Sequence, residues 1–156
     1  MSRKTLRLDE FLPYRLSVAA NCVSNSIAGA YDRLFGLNVP EWRLIAVLAE
    51  SEGATQNEIG QKTVMDKVTV SRAAIALTTR GLIERSPHPS DGRARRLFLS
   101  ESGRALYRQV APKALELERH IFASLSDEDR ARFSDILDQV ARKAGELSGI
   151  GDGGGG

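Results

Sequence analysis

The hydrophobic period changes between Gly81 and Ser100, and that change restricts the possible folds more than any other feature. Before Gly81 and after Ser100, apolar residues recur at steps of three and four, which is typical of amphipathic helices. Between them a short apolar run leads into the turn cluster 87–92, and the apolar run 97–99 follows, which is typical of a β-hairpin. The sequence therefore predicts a mostly α fold with one small β-hairpin.

Long helices are predicted near both ends of the chain, within residues 9–36 and 100–148. The first helical turn tolerates Pro13, whereas Pro112 predicts a kink or a brief break. Each end carries an apolar stripe that suits packing against another helix, either in the same chain or in a second copy. Residues 149–156 are predicted to form a flexible Gly-rich tail. The two stripes are Leu16, Ala20, Val23, Ile27, Ala30 and Leu34, and Phe133, Ile136, Leu137, Val140, Ala144 and Leu147.

Start and stop signals divide residues 40–99 into short elements. Helix 41–50 comes first, Thr55 then opens a second helix as part of a capping box with Glu58, and Asp66 can cap a third. The order of helix, short helix, tight connection, helix and hairpin is that of a winged helix-turn-helix, whose second motif helix enters the DNA major groove. The residues expected to face inward are Trp42, Ile45, Ala46, Leu48, Ala49, Ile59, Val64, Val70, Ala74 and Leu77.

Charge is concentrated in the middle of the chain. The 156 residues include 22 Lys and Arg and 20 Asp and Glu, so the net charge of +2 neither demands nor excludes a polyanionic partner. Residues 55–99, however, hold eight basic and four acidic side chains, a net charge of +4, which leaves −2 for the rest. A polyanion would therefore dock on the central segment.

The predicted third short helix has a polar side that suits DNA. Lys67 and Arg72 can donate to phosphates or guanine, while Thr69 and Ser71 are small enough to let the backbone approach. A solvated polar helix face is the alternative interpretation of these four residues. The hairpin favours DNA, because an arginine that projects from a tip can enter the narrow minor groove. The further candidates for DNA contact are Thr55, Gln56, Asp91, Arg93 and Arg95.

Several other functional classes find little support in the sequence. The single cysteine, Cys22, cannot form an internal disulfide, and His88 and His120 are too few for a structural zinc site, so neither a metal nor a cofactor is expected. Catalytic and nucleotide-binding motifs such as G-x-S-x-G, H-E-x-x-H and the P-loop do not occur, which argues against an enzyme. No apolar run approaches the length of a membrane helix, and a cytoplasmic location is expected.

Four motifs in this order resemble the MarR family of bacterial transcription regulators. They are the runs 66–72, 80–85, 91–94 and 99–103, and the likeness extends over about residues 11–147. It implies a homodimer in which the terminal helices interlock and two winged motifs grip a pseudo-palindromic operator in double-stranded DNA. The same resemblance implies recognition-helix contacts at Lys67, Thr69, Ser71 and Arg72, and a wing contact by Arg93 with Asp91 as its partner.

The sequence departs from this family pattern in the second half of the recognition helix. Residues 73–76 are Ala-Ala-Ile-Ala, where many members carry larger polar or charged side chains at one or two positions. A short base-contacting footprint is therefore expected. Position 92 is Gly where Arg is frequent, so the wing tip should be less charged.

The resemblance also implies a small-molecule effector, commonly an aromatic acid or its coenzyme A thioester, bound between the dimer helices and the winged motif. The stretches around residues 12–17 and 39–43 resemble the branch that includes regulators of hydroxycinnamate breakdown. Candidate effector contacts are Tyr14, Arg15, Trp42 and Arg43. Arginine suits a carboxylate or a phosphate and aromatic rings suit stacking. The alternative interpretation is that the two aromatic residues pack in the core and the two arginines form structural ion pairs.

A dimeric, ligand-responsive repressor is thus the function that the sequence favours. Two alternatives remain. One is redox sensing through Cys22, although no cation lies nearby in the sequence to activate the thiol and a small buried hydrophobic residue is the favoured interpretation. The other is an architectural winged-helix protein that binds DNA without an effector.

Overall fold

The computed structural model describes residues 5–88 and 91–149, except for the side chains of residues 87, 88 and 91–94. Within these ranges the chain forms six α-helices and one two-stranded antiparallel sheet, which confirms the predicted fold class. The elements are α1 (Leu12–Phe35), α2 (Val39–Ala49), α3 (Gln56–Thr63), α4 (Lys67–Thr79), β1 (Ile83–His88), β2 (Asp91–Leu99), α5 (Glu101–Ile121) and α6 (Asp127–Gly149), with one turn of 3-10 helix at Leu8–Glu10 before them. None of the helices in the described ranges is long and apolar enough to cross a lipid bilayer.

The chain divides into two compact units, and the boundary between Leu115 and Glu116 falls inside α5. The first unit contains the hydrophobic core, which α1, α2, α3, α4, β2 and α5 all supply. The largest fully buried side chains are Tyr31, Leu37, Leu44, Ile45, Leu48, Ile59, Val70, Leu77, Leu97 and Val110. In the second unit Ser126 caps α6 by accepting from the Asp129 N–H at 3.1 Å, and Phe122 and Phe133 pack with their ring centres 6.0 Å apart.

Helix α2 begins at Val39, two residues before the predicted start. Asn38 and Glu41 form a reciprocal capping box: the Asn38 Oδ1 accepts from the Glu41 N–H and the Glu41 Oε1 accepts from the Asn38 N–H, both at 2.9 Å. This box satisfies two N–H groups of the first turn and permits Pro40 within it. Asn38 had no predicted role, and this omission explains the wrong boundary.

Helix α3 has the predicted capping box, in which Thr55 and Glu58 exchange two hydrogen bonds of 3.2 Å. The prediction that Val64 packs on its apolar face is wrong. Val64 is 90% exposed and adopts a left-handed backbone conformation with φ of 57°. The chain must stop α3 here and turn into α4 within three residues, and that reversal turns the Val64 side chain away from the core.

We expect Val64→Gly to raise the free energy of unfolding by about 1 kcal/mol. A β-branched side chain is strained in the left-handed region, whereas glycine is not, and at 90% exposure little apolar burial is lost. Val64→Asn should give a smaller gain, because Asn tolerates this conformation better than Val. Urea unfolding measures both. A lower stability of the glycine variant would show that the strain is compensated by a contact of the side chain.

The hairpin is fastened along the outer edge of β2 and at its base. Strand β1 pairs with β2 in the register Ile83 to Leu99. On the other side of β2, Leu97 exchanges two backbone hydrogen bonds with Ala54, of 2.8 and 3.0 Å. The Ser100 Oγ donates to the Gly81 carbonyl at 2.6 Å. The position of the hairpin relative to α3 and α4 is thereby fixed at its base.

The apolar stripes of the two long terminal helices are largely uncovered within one chain. Residues 12–20 of α1 are exposed on every side, and α1 buries only Ala30 and Tyr31 near its end. No residue of α6 is buried, and its apolar stripe is between 39% and 62% exposed at the residues Phe133, Ile136, Leu137, Val140 and Leu147. Helix α5 runs through Pro112 without a break.

Candidate nucleic-acid interface

Helix α4 is the part of the first unit that presents a defined polar face. Its inner side is buried, through Val70, Ala73, Ala74 and Leu77, and this confirms the prediction for Val70, Ala74 and Leu77. Lys67 and Arg72 are exposed, whereas Thr69 and Ser71 are half-buried at its flanks. The polar residues predicted for this helix therefore point away from the core, as DNA contact requires.

The start of α4 is held by Asp66. Its Oδ1 accepts from the Thr69 N–H at 2.7 Å, so the helix begins at Lys67 as predicted. This bond and a second one from the Thr69 hydroxyl lower the pKa of Asp66 below its ordinary value of 3.8, and the charge of Arg72 adds to the effect. A lowered pKa stabilises the folded state above about pH 4, and that contribution is lost as the pH falls through the lowered value.

An open cleft of about 1030 Å³ lies between α3, the first turns of α4 and the hairpin. Five residues that the sequence predicted as DNA contacts line it. They are Thr55, Gln56, Lys67, Ser71 and Arg95. Residues from three separate elements therefore meet on one concave surface, although Thr55 also uses its hydroxyl in the α3 cap.

Two further predicted contacts lie on the other side of α4. Thr69 and Arg72 line a smaller groove of about 360 Å³ together with Asn38 and Pro40 from the start of α2. The recognition residues are thus divided between two grooves that flank the same helix. If α4 enters the major groove of a duplex, residues on both sides of α4 would contact the DNA.

Arg85 belongs to the large cleft and was missed as a site residue. In the hairpin register Arg85 faces Leu97 and Pro87 faces Arg95, so positions 85 and 95 lie diagonally on the same side of the sheet. Arg85 and Arg95 are both exposed and both line the cleft. The sequence could have grouped Arg85 with Arg95 only if the pairing register of the two strands had been known, because the register decides which positions share a face of the hairpin. The side chains of Asp91 and Arg93, the predicted wing contacts, lie outside the described part of the chain.

Three cations of the basic central segment hold the scaffold together. The Lys62 Nζ lies 3.2 Å from the Glu50 carboxylate. The Arg96 guanidinium donates to the Gly53 carbonyl at 2.8 Å, so this arginine ties the hairpin to the loop that follows α2. Arg80 donates to the carbonyls of Gly36 and Phe35, at 3.0 and 3.3 Å, at the end of α1.

The four predicted effector contacts do not meet within one chain. Trp42 is half-buried: it stacks on Tyr107, with ring centres 5.8 Å apart, and touches Tyr31 edge-on at 5.5 Å. Tyr14 lies seventeen residues before Tyr31 on α1, which is about 25 Å along the helix axis. Tyr14, Arg15 and Arg43 are exposed. Tyr31, which contacts Trp42, is buried, and this burial raises the pKa of its hydroxyl above the ordinary value.

Cys22 does not match its favoured interpretation within a single chain. It was expected to act as a small buried hydrophobic residue, but it is exposed on α1. The reason is that residues 12–22 of α1 are all exposed, so that little of the described part of the same chain packs over Cys22.

Sequence comparisons connect the chain with known regulators. The model of the family described as MarR family matches residues 35–94. The chain is 25% identical over 104 residues to the HTH-type transcriptional repressor IacR of Pseudomonas putida, and the match covers 67% of this chain. It spans 62% of the length of that repressor.

Solved structures show the same fold over nearly the whole chain. The MarR/EmrR family transcriptional regulator from Acinetobacter sp. ADP1 superposes with a TM-score of 0.84 at 25% identity, over 90% of this chain and 99% of that one. Sco3205 from Streptomyces coelicolor, solved in complex with DNA, gives 0.81 at 24% identity over 91% of each chain. CouR from Rhodococcus jostii RHA1, solved with p-coumaroyl-CoA, gives 0.77 at 22% identity over 88% of this chain and 96% of that one.

Proposed function

Because the chain belongs to the MarR family of winged-helix transcriptional regulators, we propose that it is a homodimeric repressor that a small molecule releases from DNA. Two copies would hold their α4 helices in successive major grooves of a pseudo-palindromic operator. The effector would be an aromatic acid or its coenzyme A thioester. Binding of the effector would change the spacing of the two α4 helices, which must match one DNA turn of about 34–36 Å.

The observation that carries this proposal is the cleft beside α4. It brings Lys67 from α4 together with Arg85 and Arg95 from the hairpin. Asp66, which caps α4, lines the same cleft, so the cleft carries three cations and one carboxylate and is net basic. A concave basic surface next to an exposed helix fits a duplex, in which phosphates flank a groove about 12 Å wide.

The second copy of the chain is inferred from the uncovered stripes. Exposed apolar side chains recur at helical spacing on α1 and again on α6, for example Leu16 and Leu34 on the former and Val140 and Leu147 on the latter. Monomeric proteins rarely leave contiguous apolar surfaces of this kind in water. Sedimentation equilibrium should therefore give the mass of two chains, and a mass of one chain at micromolar concentration would overturn the dimer.

A test of the function itself is selection from a pool of random duplexes. A regulator should enrich a short inverted repeat and bind it far more tightly than scrambled DNA of the same length. Its affinity should also fall steeply as salt rises, because phosphate contacts release counterions. Uniform binding to all duplexes would instead identify an architectural DNA-binding protein.

We expect Arg93→Ala to weaken binding to the selected duplex and to scrambled DNA by similar factors. An arginine at the hairpin tip would contact phosphates or the minor groove, and phosphate contacts carry no direct sequence information. Fluorescence anisotropy with both duplexes measures the two affinities. Unchanged affinities for both would remove Arg93 from the interface.

The effector side of the proposal rests on Trp42 and Arg43 near the start of α2, where Trp42 contacts Tyr31 and Tyr107. Tyr14 and Arg15 would join this site only from a second copy, because about 25 Å of α1 separates them from Tyr31 in the same chain. Thermal-shift screening of aromatic acids and their coenzyme A thioesters, followed by DNA release, tests it. If only oxidants released the protein from DNA, and a Cys22→Ser variant stayed bound to DNA in their presence, the result would favour redox sensing over an effector pocket.

A further inference from the structure

The outer face of α4 is partly apolar. Val68 and Ile75 are 58% and 57% exposed, and both lie opposite the buried residues Val70 and Leu77. Arg72 lies between them on the same stripe, because positions 68, 72 and 75 are spaced by four and three residues. The face that would enter a major groove therefore carries one cation between two branched hydrocarbon side chains.

Polar groups on this face are partly used within the helix itself. The Thr69 hydroxyl bonds to Asp66, and the Thr79 hydroxyl donates to the Ile75 carbonyl at 2.9 Å. The sequence of residues 73–76, Ala-Ala-Ile-Ala, adds no polar side chain. Beyond Arg72, the long side chain that reaches outward from the middle of α4 is Ile75.

We propose that Val68 and Ile75 read thymine by packing against its C5-methyl group, on either side of the base that Arg72 contacts. The methyl group is the apolar feature that the major groove of B-DNA offers, and it marks T·A pairs. Seven residues of helix span about 10.5 Å, which matches about three base-pair steps of 3.4 Å. The inference rests on the proposed function and assigns sequence preference to two residues that carry no charge.

The charges around the stripe favour DNA as its occupant over another protein. Lys67 and Arg72 lie beside Val68 on α4, and Arg85 and Arg95 line the adjoining cleft. An apolar stripe surrounded by cations matches a groove whose floor carries methyl groups and whose edges are phosphates.

The experiment replaces thymine by deoxyuridine, one position at a time, in both halves of the selected duplex. This substitution removes the methyl group and keeps the base pair. The wild type should lose about fourfold in affinity per half-site at each contacted thymine, or about sixteenfold when both halves are changed. Val68→Ala should be insensitive at one of these positions and Ile75→Ala at another, whereas Thr78→Ala, an exposed residue on the flank of α4, should keep the wild-type sensitivity.

The outcomes separate this inference from the function on which it rests. Failure to select any preferred duplex would overturn the proposed function. A selected duplex at which deoxyuridine has no effect, or the same effect in wild type and both alanine variants, would overturn the reading of thymine alone. A loss of sensitivity in only one variant would remove the other residue from the assignment. Both residues are exposed and Ala favours helices, so both variants should fold.

Discussion

Arg72→Ala should lower the affinity for the selected duplex by at least about 30-fold and should also relax sequence preference. Arg72 is exposed on the outer stripe of α4 and lines the groove next to the start of α2. An arginine that reads a base contributes about 1–3 kcal/mol in each half-site, hence about 2–6 kcal/mol for a dimer on two half-sites. Fluorescence anisotropy on selected and scrambled duplexes gives both quantities.

Arg108→Ala is the matched control for this prediction. Arg108 is also exposed, but it lies on α5 and donates to the carbonyl of Arg104 in its own helix at 3.3 Å. Its removal deletes the same charge away from the cleft, so it should change binding only through the weak long-range field. Equal losses for the two variants would show that net charge, and not the position on α4, governs binding.

Gly103→Ala should destabilise the fold by about 3 kcal/mol or more and lower the thermal midpoint by about 10 °C. Gly103 lies buried in the first turn of α5, where a Cβ would collide with the carbonyl oxygen of Leu82 and approach Leu99 Cδ2 at 3.2 Å. That carbonyl cannot simply rotate away, because it accepts the Ser100 N–H at 3.0 Å. Urea unfolding followed by circular dichroism measures the loss.

Gly145→Ala is expected to give the opposite result in the same measurement, an increase in stability. Gly145 is also helical, but apart from its chain neighbours and the backbone of its own helix no described atom lies within 4 Å of the position that its Cβ would occupy. Alanine there should stabilise α6 by up to about 1 kcal/mol, because glycine in a helix interior costs backbone entropy. If both variants behaved alike, the packing at Gly103 would not explain its requirement for glycine.

Local signals in the sequence were sufficient for much of the fold. The Thr55 and Glu58 capping box and the Asp66 cap both occur where the residue types predicted them. These features depend on hydrogen bonds between residues a few positions apart, so the sequence displays both partners. Asn38 and Glu41 were overlooked although their spacing is the same.

Features that depend on distant partners were not predictable in this way. Arg96 and Gly53 are 43 residues apart, and only the folded chain shows that one donates to the other. The outward direction of Val64 follows from the turn between two helices, which hydrophobicity does not indicate. The same holds for the site: Lys67 and Arg72 were predicted from one helix, whereas Arg85 required the strand register.

The contact of Arg80 with the end of α1 has a mechanical consequence. Arg80 ends α4 and grips the last carbonyls of α1 with both of its terminal nitrogens. A planar guanidinium held at two points resists both sliding and rotation. If α1 shifts by more than about an ångström, these bonds must break or α4 must follow, since hydrogen bonds weaken steeply beyond their normal length. Helix α4, which we propose enters the major groove, is thus tethered at its far end to α1.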